Sequence, residues 1–476
     1  MTARSAIVVG GGLAGIAAAV RLADHGLRVT LVETRKRLGG RATSFVDPQT
    51  GQLLDNCQHV LMGCCTNLLD LYARLGVADR IAWHDRLYFC DGVGRIDMLE
   101  PDDLPAPVHY SAALLHFKGL SLADKVAIAR GMLAMMRLDG VERGQWHERT
   151  FTDWLRVHRQ TTGAIRKFWS VIIISALNEL PERVAADYAI QVFRDGFLCH
   201  EDAARMGLPN VPLVQLYDAA ERVLVRAGGN VMLSTSAEAF TWKGGRVASL
   251  RVDGGRELTG DVYVSALPFD RLAKVCPPEM VAADARLQSL DAFTVSPIIG
   301  IHVWLDRPVM QLPHLILTES PLQWIFNKGV DQPPVESDSP HPAQHLHGVI
   351  SAAHDLVDHP TDAIADLAVR EIRSALGPDA ANVNVLHHRV VKEKRATFSA
   401  RPGIEALRPA AAGPIPGGNL FLAGDWCRTG WPATMEGATR GGYQAANTAL
   451  ESLGLSASDL TPGLPHSSLY DLLSRQ

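Results

Sequence analysis

The chain has 476 residues, with 46 Lys and Arg against 51 Asp and Glu, a formal net charge of −5 and a pI of about 6.4. That length supports two or three domains around a large core, and the mildly acidic balance excludes the basic footprint of a nucleic-acid binder. The apolar run near Val171 to Leu177 falls far short of the ~20 residues that span a bilayer, and the N-terminus lacks the zones of an export signal. A cytoplasmic protein is expected, soluble or peripheral at the inner face of the cell membrane.

The first element is an apolar strand, Ala6 to Val9, followed by Gly10-x-Gly12-x-x-Gly15 and an Ala-rich helix that opens on Leu13 and Ala14. Glycines suit that turn because it is tight and because the backbone must approach a pyrophosphate at a helix N-terminus. The second strand, Val29 to Val32, ends on Glu33, 18 residues beyond Gly15, where a carboxylate can hold an adenosine ribose hydroxyl. NAD and FAD both fit this fingerprint. The glycine pair Gly39-Gly40 followed by Arg41 favours FAD, as does the far end of the chain. There an apolar strand, Asn419 to Ala423, ends in Gly424-Asp425, and a loop leads to a helix predicted from Thr434 and Met435 through Gly437 to Ala445. An acidic residue can hold the ribityl phosphate, and the positive helix end can face the flavin pyrimidine.

Between these ends, residues 86–212 read as a mostly helical insertion, a lid over the substrate. Ser121 is predicted to cap Leu122 to Met136, Thr152-Asp153 to open a further helix, and the segment from Phe168 to Glu179 is apolar nearly all round. Residues 213–290 read as a return to the cofactor domain. It consists of a helix over Leu213 to Arg226, a strand Val231 to Leu233, a hairpin around Lys243 to Arg246, and a strand running into Ser265-Ala266-Leu267-Pro268. Ala237 is placed with the cofactor-binding residues. Residues 291–390 supply strands (Ser296 to Leu305, Leu322 to Lys328, His347 to Ala353) and one helix, Ala363 to Leu376. Residues 1–85 and 391–456 complete the cofactor domain, and 457–476 form a tail. A sheet with a helical lid builds a deep apolar pocket.

Seven cysteines lack CxxC spacing, and free thiols in a reducing compartment are expected, with no metal site. His341, His345 and His347 lie in a Pro-, Asp- and Ser-rich stretch and read as a solvated loop.

The strand–GD–loop–helix at the C-terminus resembles the FAD motif of the flavin amine oxidase and carotenoid desaturase superfamily. This implies an α/β fold, a Rossmann-like FAD-binding domain of the GR2 type with an inserted α+β substrate domain. A finer resemblance starts at Asp55-Asn56-Cys57-Gln58-His59-Val60-Leu61-Met62-Gly63-Cys64. It extends to Ala176-Leu177-Asn178, Leu322-Gln323-Trp324, Glu393 to Phe398, and Thr429 to Gly437. These segments resemble the hydroxysqualene dehydroxylases of hopanoid biosynthesis almost end to end. Cys57 stands where that family usually has glycine, Cys65 where an aromatic is common, and Trp426-Cys427-Arg428 replaces Trp-Thr-Asp/Glu.

The resemblance implies reduction of a C30 allylic alcohol to squalene: the hydroxyl leaves as water and reduced FAD quenches the cation. Such a site needs an acid, a dry pocket and a flavin face close by. His59 is assigned as proton donor and Gln58 as orienting group, with Asp55 beside them; the electron donor is unidentified. Alternatives are an FAD-dependent C30 or C40 polyene desaturase running in the oxidative direction, or an amine oxidase using Lys328 near the flavin.

Overall fold

The computed structural model describes residues 4–92, 94–331, 343–413 and 415–474. Five parallel strands form the first sheet, in the order Asn230–Met232, Arg28–Val32, Ser5–Val9, Val262–Ser265 and Leu420–Leu422. Both faces of such a sheet are covered, so its strands are apolar on both sides. Ala6 and Val8 pack in the core under the helices, while Ile7 and Val9 share a core with Phe240, Val247 and Leu250. The last three belong to a three-stranded antiparallel sheet, Ala237–Lys243, Arg246–Val252 and Arg256–Leu258.

The helices Leu13–Asp24 and Met435–Ser452 lie together although they come from opposite ends of the chain. Gly442 permits this approach, since a Cβ there would sit 2.2 Å from the Ala14 carbonyl oxygen.

The second large sheet has seven strands, in the order Val385–Phe398, Val295–Leu305, Gln344–Ile350, Trp324–Asn327, His314–Leu317, Leu87–Cys90 and Ile96–Leu99. Alternation sorts its two faces. Ile299, Ile301, Val303 and Leu305 pack against Ile364, Ala368 and Ile372 of the helix Thr361–Leu376. Gly300, His302 and Trp304, at the intervening positions, face the cofactor domain.

Four expectations change. Two strands from the segment expected to be helical, Leu87–Cys90 and Ile96–Leu99, finish the seven-stranded sheet, because each is too short to signal against its surroundings. The helix predicted over Leu213 to Arg226 is two, Leu213–Tyr217 and Ala219–Arg226, parted at Asp218. Thr150 rather than Thr152 caps the helix Phe151–Val157, in a reciprocal box with Asp153; Ser121 makes the same box with Asp124. His345 and His347 are not in a loop but on the strand Gln344–Ile350, and His341 lies outside the described residues.

Candidate active site

The two glycine turns interlock. Gly15 would place a Cβ 1.8 Å from the Gly10 carbonyl oxygen, and Gly40, at φ 62°, would place one 2.9 Å from Gly12 Cα. Only bare backbone fits where Leu13 and Ala14 begin the first helix. Gly39 forms a bridge with Gly12. Glu33 is buried, accepting from Gly11 N and Arg35 N at 2.7 Å each. The segment before Ala237 runs beside it, Thr235 N donating to Glu33 O at 2.9 Å.

Arg41 crosses to the C-terminal motif, its Nη2 2.5 Å from Asp425 Oδ1. Gly424, at φ 145°, leads into Asp425, and Thr434 caps the helix Met435–Ser452 by accepting from Gly437 N at 3.0 Å. Arg408, fully buried, braces this loop by donating to Asp425 O, Thr429 Oγ1 and Trp431 O at 2.9, 3.0 and 2.7 Å. Nothing in the sequence marks it, a single arginine in a proline- and alanine-rich stretch. Glu436 is buried and receives hydrogen bonds from the N–H groups of Asn67 and Leu68, capping the helix Thr66–Leu75. That makes it structural.

The Asp55–His59 segment sits between the cofactor domain and the seven-stranded sheet. A Cβ on Gly300 would meet Asn56 O at 2.7 Å, so the sheet touches this backbone directly. Asn56 Nδ2 donates to Arg41 O at 2.8 Å and to Glu393 Oε1 at 3.0 Å. Cys57 does not have the positive φ that would require glycine, and burial pushes its thiol up to about 12. Cys57 joins an apolar cluster with Phe326 and Val349, against which Val60, Ile298 and Trp324 pack. Asp55 Oδ1 is engaged by Leu213 N and Ser44 Oγ at 2.9 and 2.8 Å. Lys328, 9% exposed in its side chain, brings Nζ 2.8 Å from Gln58 Oε1 and 3.7 Å from Asp55 Oδ2.

His59 Nδ1 lies 3.0 Å from Cys57 O. A carbonyl only accepts, so Nδ1 carries the hydrogen and Nε2 of the neutral ring is an acceptor. Burial lowers the His59 pKa, which favours that neutral ring. Behind the segment, His302 Nε2 donates to Asp55 O at 2.9 Å, so its Nδ1 must accept from His345 Nε2 at 3.0 Å. His347 stacks on His302 with ring centroids 3.9 Å apart, and Trp304 lies against His345 at 4.4 Å. Burial drives His302 down to about 3, and His345 and His347 well below the usual histidine range. These rings are neutral supports of the Asp55–His59 backbone.

The structure thus brings Asp55, Gln58 and His59 to one place, and groups Gly10, Gly12, Leu13, Ala14, Gly15, Glu33, Gly39, Gly40 and Arg41 with Gly424, Asp425, Thr434 and Met435. The flavin containing amine oxidoreductase profile matches residues 13–450. The chain belongs to that family. FAD is its cofactor, and the interlocked glycines, Glu33, the Arg41–Asp425 pair and the final helix N-terminus are the residues that fit it. The fold is the α/β flavoprotein fold of that family, and the chain is an oxidoreductase.

The 15-cis-phytoene desaturase of Synechococcus elongatus is 26% identical over 454 residues, covering 92% of this chain and 94% of its own. The zeta-carotene desaturase of Synechocystis is 25% identical, covering 93% and 96%. Among solved structures, an oxidoreductase from Methanosarcina mazei superposes with a TM-score of 0.70 at 17% identity, covering 92% of this chain and 98% of its own. Cyclohexylamine oxidase from Brevibacterium oxydans gives 0.66 at 17%, covering 95% and 100%. At such identities the likeness is one of fold.

Proposed function

We propose that the chain reduces a C30 allylic alcohol, hydroxysqualene, to squalene. The observation that carries this reading is the mixed character of the site. Gln58 and His59 stand on a segment that Lys328 reaches from the sheet, and the other contacts of that segment, Ile298, Trp324, Phe326 and Val349, are apolar or aromatic. A hydrocarbon bearing one oxygen matches that pattern, its hydroxyl meeting the polar side chains and its chain the apolar wall.

Bound FAD, once reduced, supplies the hydride that replaces the departing oxygen. The chain supplies the rest. The aromatic wall keeps water from a developing allyl cation, and the polar group orients the hydroxyl and delivers its proton. Arg41 and Asp425 fasten the cofactor, and the His302–His345 pair fixes the Asp55–His59 backbone on which Gln58 and His59 stand.

Among the described residues no helix is long and apolar enough to cross a membrane. The helical layer does expose Leu115, Leu122 and Val126 at 64%, 73% and 50%. Apolar side chains this open, beside Lys118 and Lys125, support peripheral contact with an anionic lipid surface, from which a C30 substrate is drawn.

The second reading is oxidation of a C30 or C40 polyene, favoured by the full-length similarity to phytoene and zeta-carotene desaturases. Gas chromatography separates the two. Purified protein with hydroxysqualene and a reductant should yield squalene. Squalene or phytoene with an electron acceptor should stay unchanged, and a desaturated product with no reductive activity would reverse the assignment.

A further inference from the structure

We propose that Lys328 Nζ, rather than His59, delivers the proton to the departing substrate oxygen, with Gln58 and Asp55 holding the ammonium in place. The inference rests on the dehydroxylase reading above.

It follows from asking what each acidic hydrogen near the Asp55–His59 segment is already doing. His59 spends its Nδ1 hydrogen on Cys57 O and, as a neutral ring, offers only an acceptor at Nε2. The buried surroundings disfavour the imidazolium that would donate from Nε2. His302 and His345 are neutral, and the hydrogens that link them to each other and to Asp55 O are committed. Asp55 Oδ1 accepts from Leu213 N and Ser44 Oγ, and its Oδ2 lies 3.7 Å from Lys328 Nζ, so its oxygens act as acceptors. Glu393 accepts from Asn56 Nδ2, Asp425 pairs with Arg41, and Glu436 caps a helix. An arginine holds its proton too tightly to donate at neutral pH.

Lys328 differs in kind. It follows directly on the strand Trp324–Asn327, whose Trp324 and Phe326 rings stack 5.2 Å apart and pack by the same segment. Its side chain therefore arrives at the polar end of the apolar wall. The ammonium has three hydrogens, so while one stays on Gln58 Oε1 at 2.8 Å, a substrate oxygen at a like distance from Nζ is within proton-transfer reach of another. Asp55 Oδ2, 3.7 Å from Nζ, helps to hold the lysine end at this place.

The step balances. The allylic C–O bond breaks and its electron pair leaves on oxygen. That oxygen takes a proton from Lys328 and departs as water, and the hydride from reduced FAD forms the new C–H bond. FAD ends oxidised, and the lysine amine regains its proton from solvent after release.

The test uses FAD-loaded full-length protein, wild type and the Lys328→Met, Lys328→Arg and His59→Gln variants, each checked for FAD content and melting temperature. With hydroxysqualene and a reductant, both Lys328 variants should lose about 100- to 10,000-fold in turnover, the range of general acid catalysis, and His59→Gln, which removes an orienting ring but not the acid, should lose less than either. The trifluoroacetate ester of the same alcohol leaves without protonation, so Lys328→Met should handle it within a few-fold of wild type. A merely structural lysine could not give that rescue. Without turnover, oxidised wild-type protein should bind hydroxysqualene more tightly than squalene by tryptophan fluorescence, and Lys328→Met should lose the preference.

Retained alcohol turnover in Lys328→Met, or equal loss on alcohol and ester, overturns the lysine as acid. If wild type turns over neither compound, the dehydroxylase reading itself falls and the lysine proposal with it.

Discussion

Acidification should unfold this protein through its buried histidines, and His302 allows the effect to be sized. Its folded pKa is about 3, set first by burial, against ~6.5 for an unfolded histidine. Below pH 6.5 the unfolded chain takes up a proton that the folded protein refuses. Stability is therefore full above that value and declines as the pH falls toward 3. At pH 5 the unfolded ring lies about 1.5 pH units below its midpoint, and at ~1.36 kcal/mol per unit His302 alone costs about 2 kcal/mol. His345 and His347, also lowered by burial, push in the same direction. Urea unfolding at pH 7 and pH 5 reads this directly, in wild type and in His302→Asn, whose amide can still donate to Asp55 O. The variant should lose about 2 kcal/mol less between the two pH values. Equal losses would refute the neutral, tautomer-fixed role given to His302.

Asp425→Ala should weaken FAD retention by about 10- to 100-fold in equilibrium dialysis, the worth of a hydrogen bond to a charged partner, because Arg41 loses the carboxylate 2.5 Å away; unchanged retention would remove the pair from the cofactor frame. Gly442→Val should cost about 3 kcal/mol or more in thermal unfolding, since its Cβ would stand 2.2 Å from Ala14 O. A melting temperature like wild type would mean that the two helices separate freely. Leu122→Glu should move the protein from the pellet to the supernatant in sedimentation with anionic liposomes, with binding about 30-fold weaker from the loss of one buried leucine, worth ~2 kcal/mol. Turnover in detergent should not change, because Leu122 is 73% exposed.

The cofactor half was legible because its signals are local. Gly10 to Gly15, Glu33, Gly39 to Arg41 and Gly424-Asp425 each state a backbone need within a few residues. The sequence could not show that Gly40 closes on Gly12, but the spacing already required two such turns. The site above the cofactor was legible only in part. Gln58 and His59 stood out, yet Lys328 is 270 residues from Gln58, and no local pattern announces a contact made by two segments crossing. His302 lies within an apolar strand, and its role appears only when Asp55 O is found opposite it. The Pro- and Asp-rich stretch before His345 concealed a buried strand, because polar flanks say little about where a strand pairs.

The most direct measurement of the central claim is an anaerobic single turnover. Holoprotein reduced beforehand, mixed with hydroxysqualene in the absence of oxygen and any other acceptor, should recover the oxidised flavin spectrum while one squalene forms per FAD. A flavin that stays reduced beside unchanged alcohol, together with reduction of the oxidised protein by phytoene or squalene, would contradict the account and make the chain a desaturase.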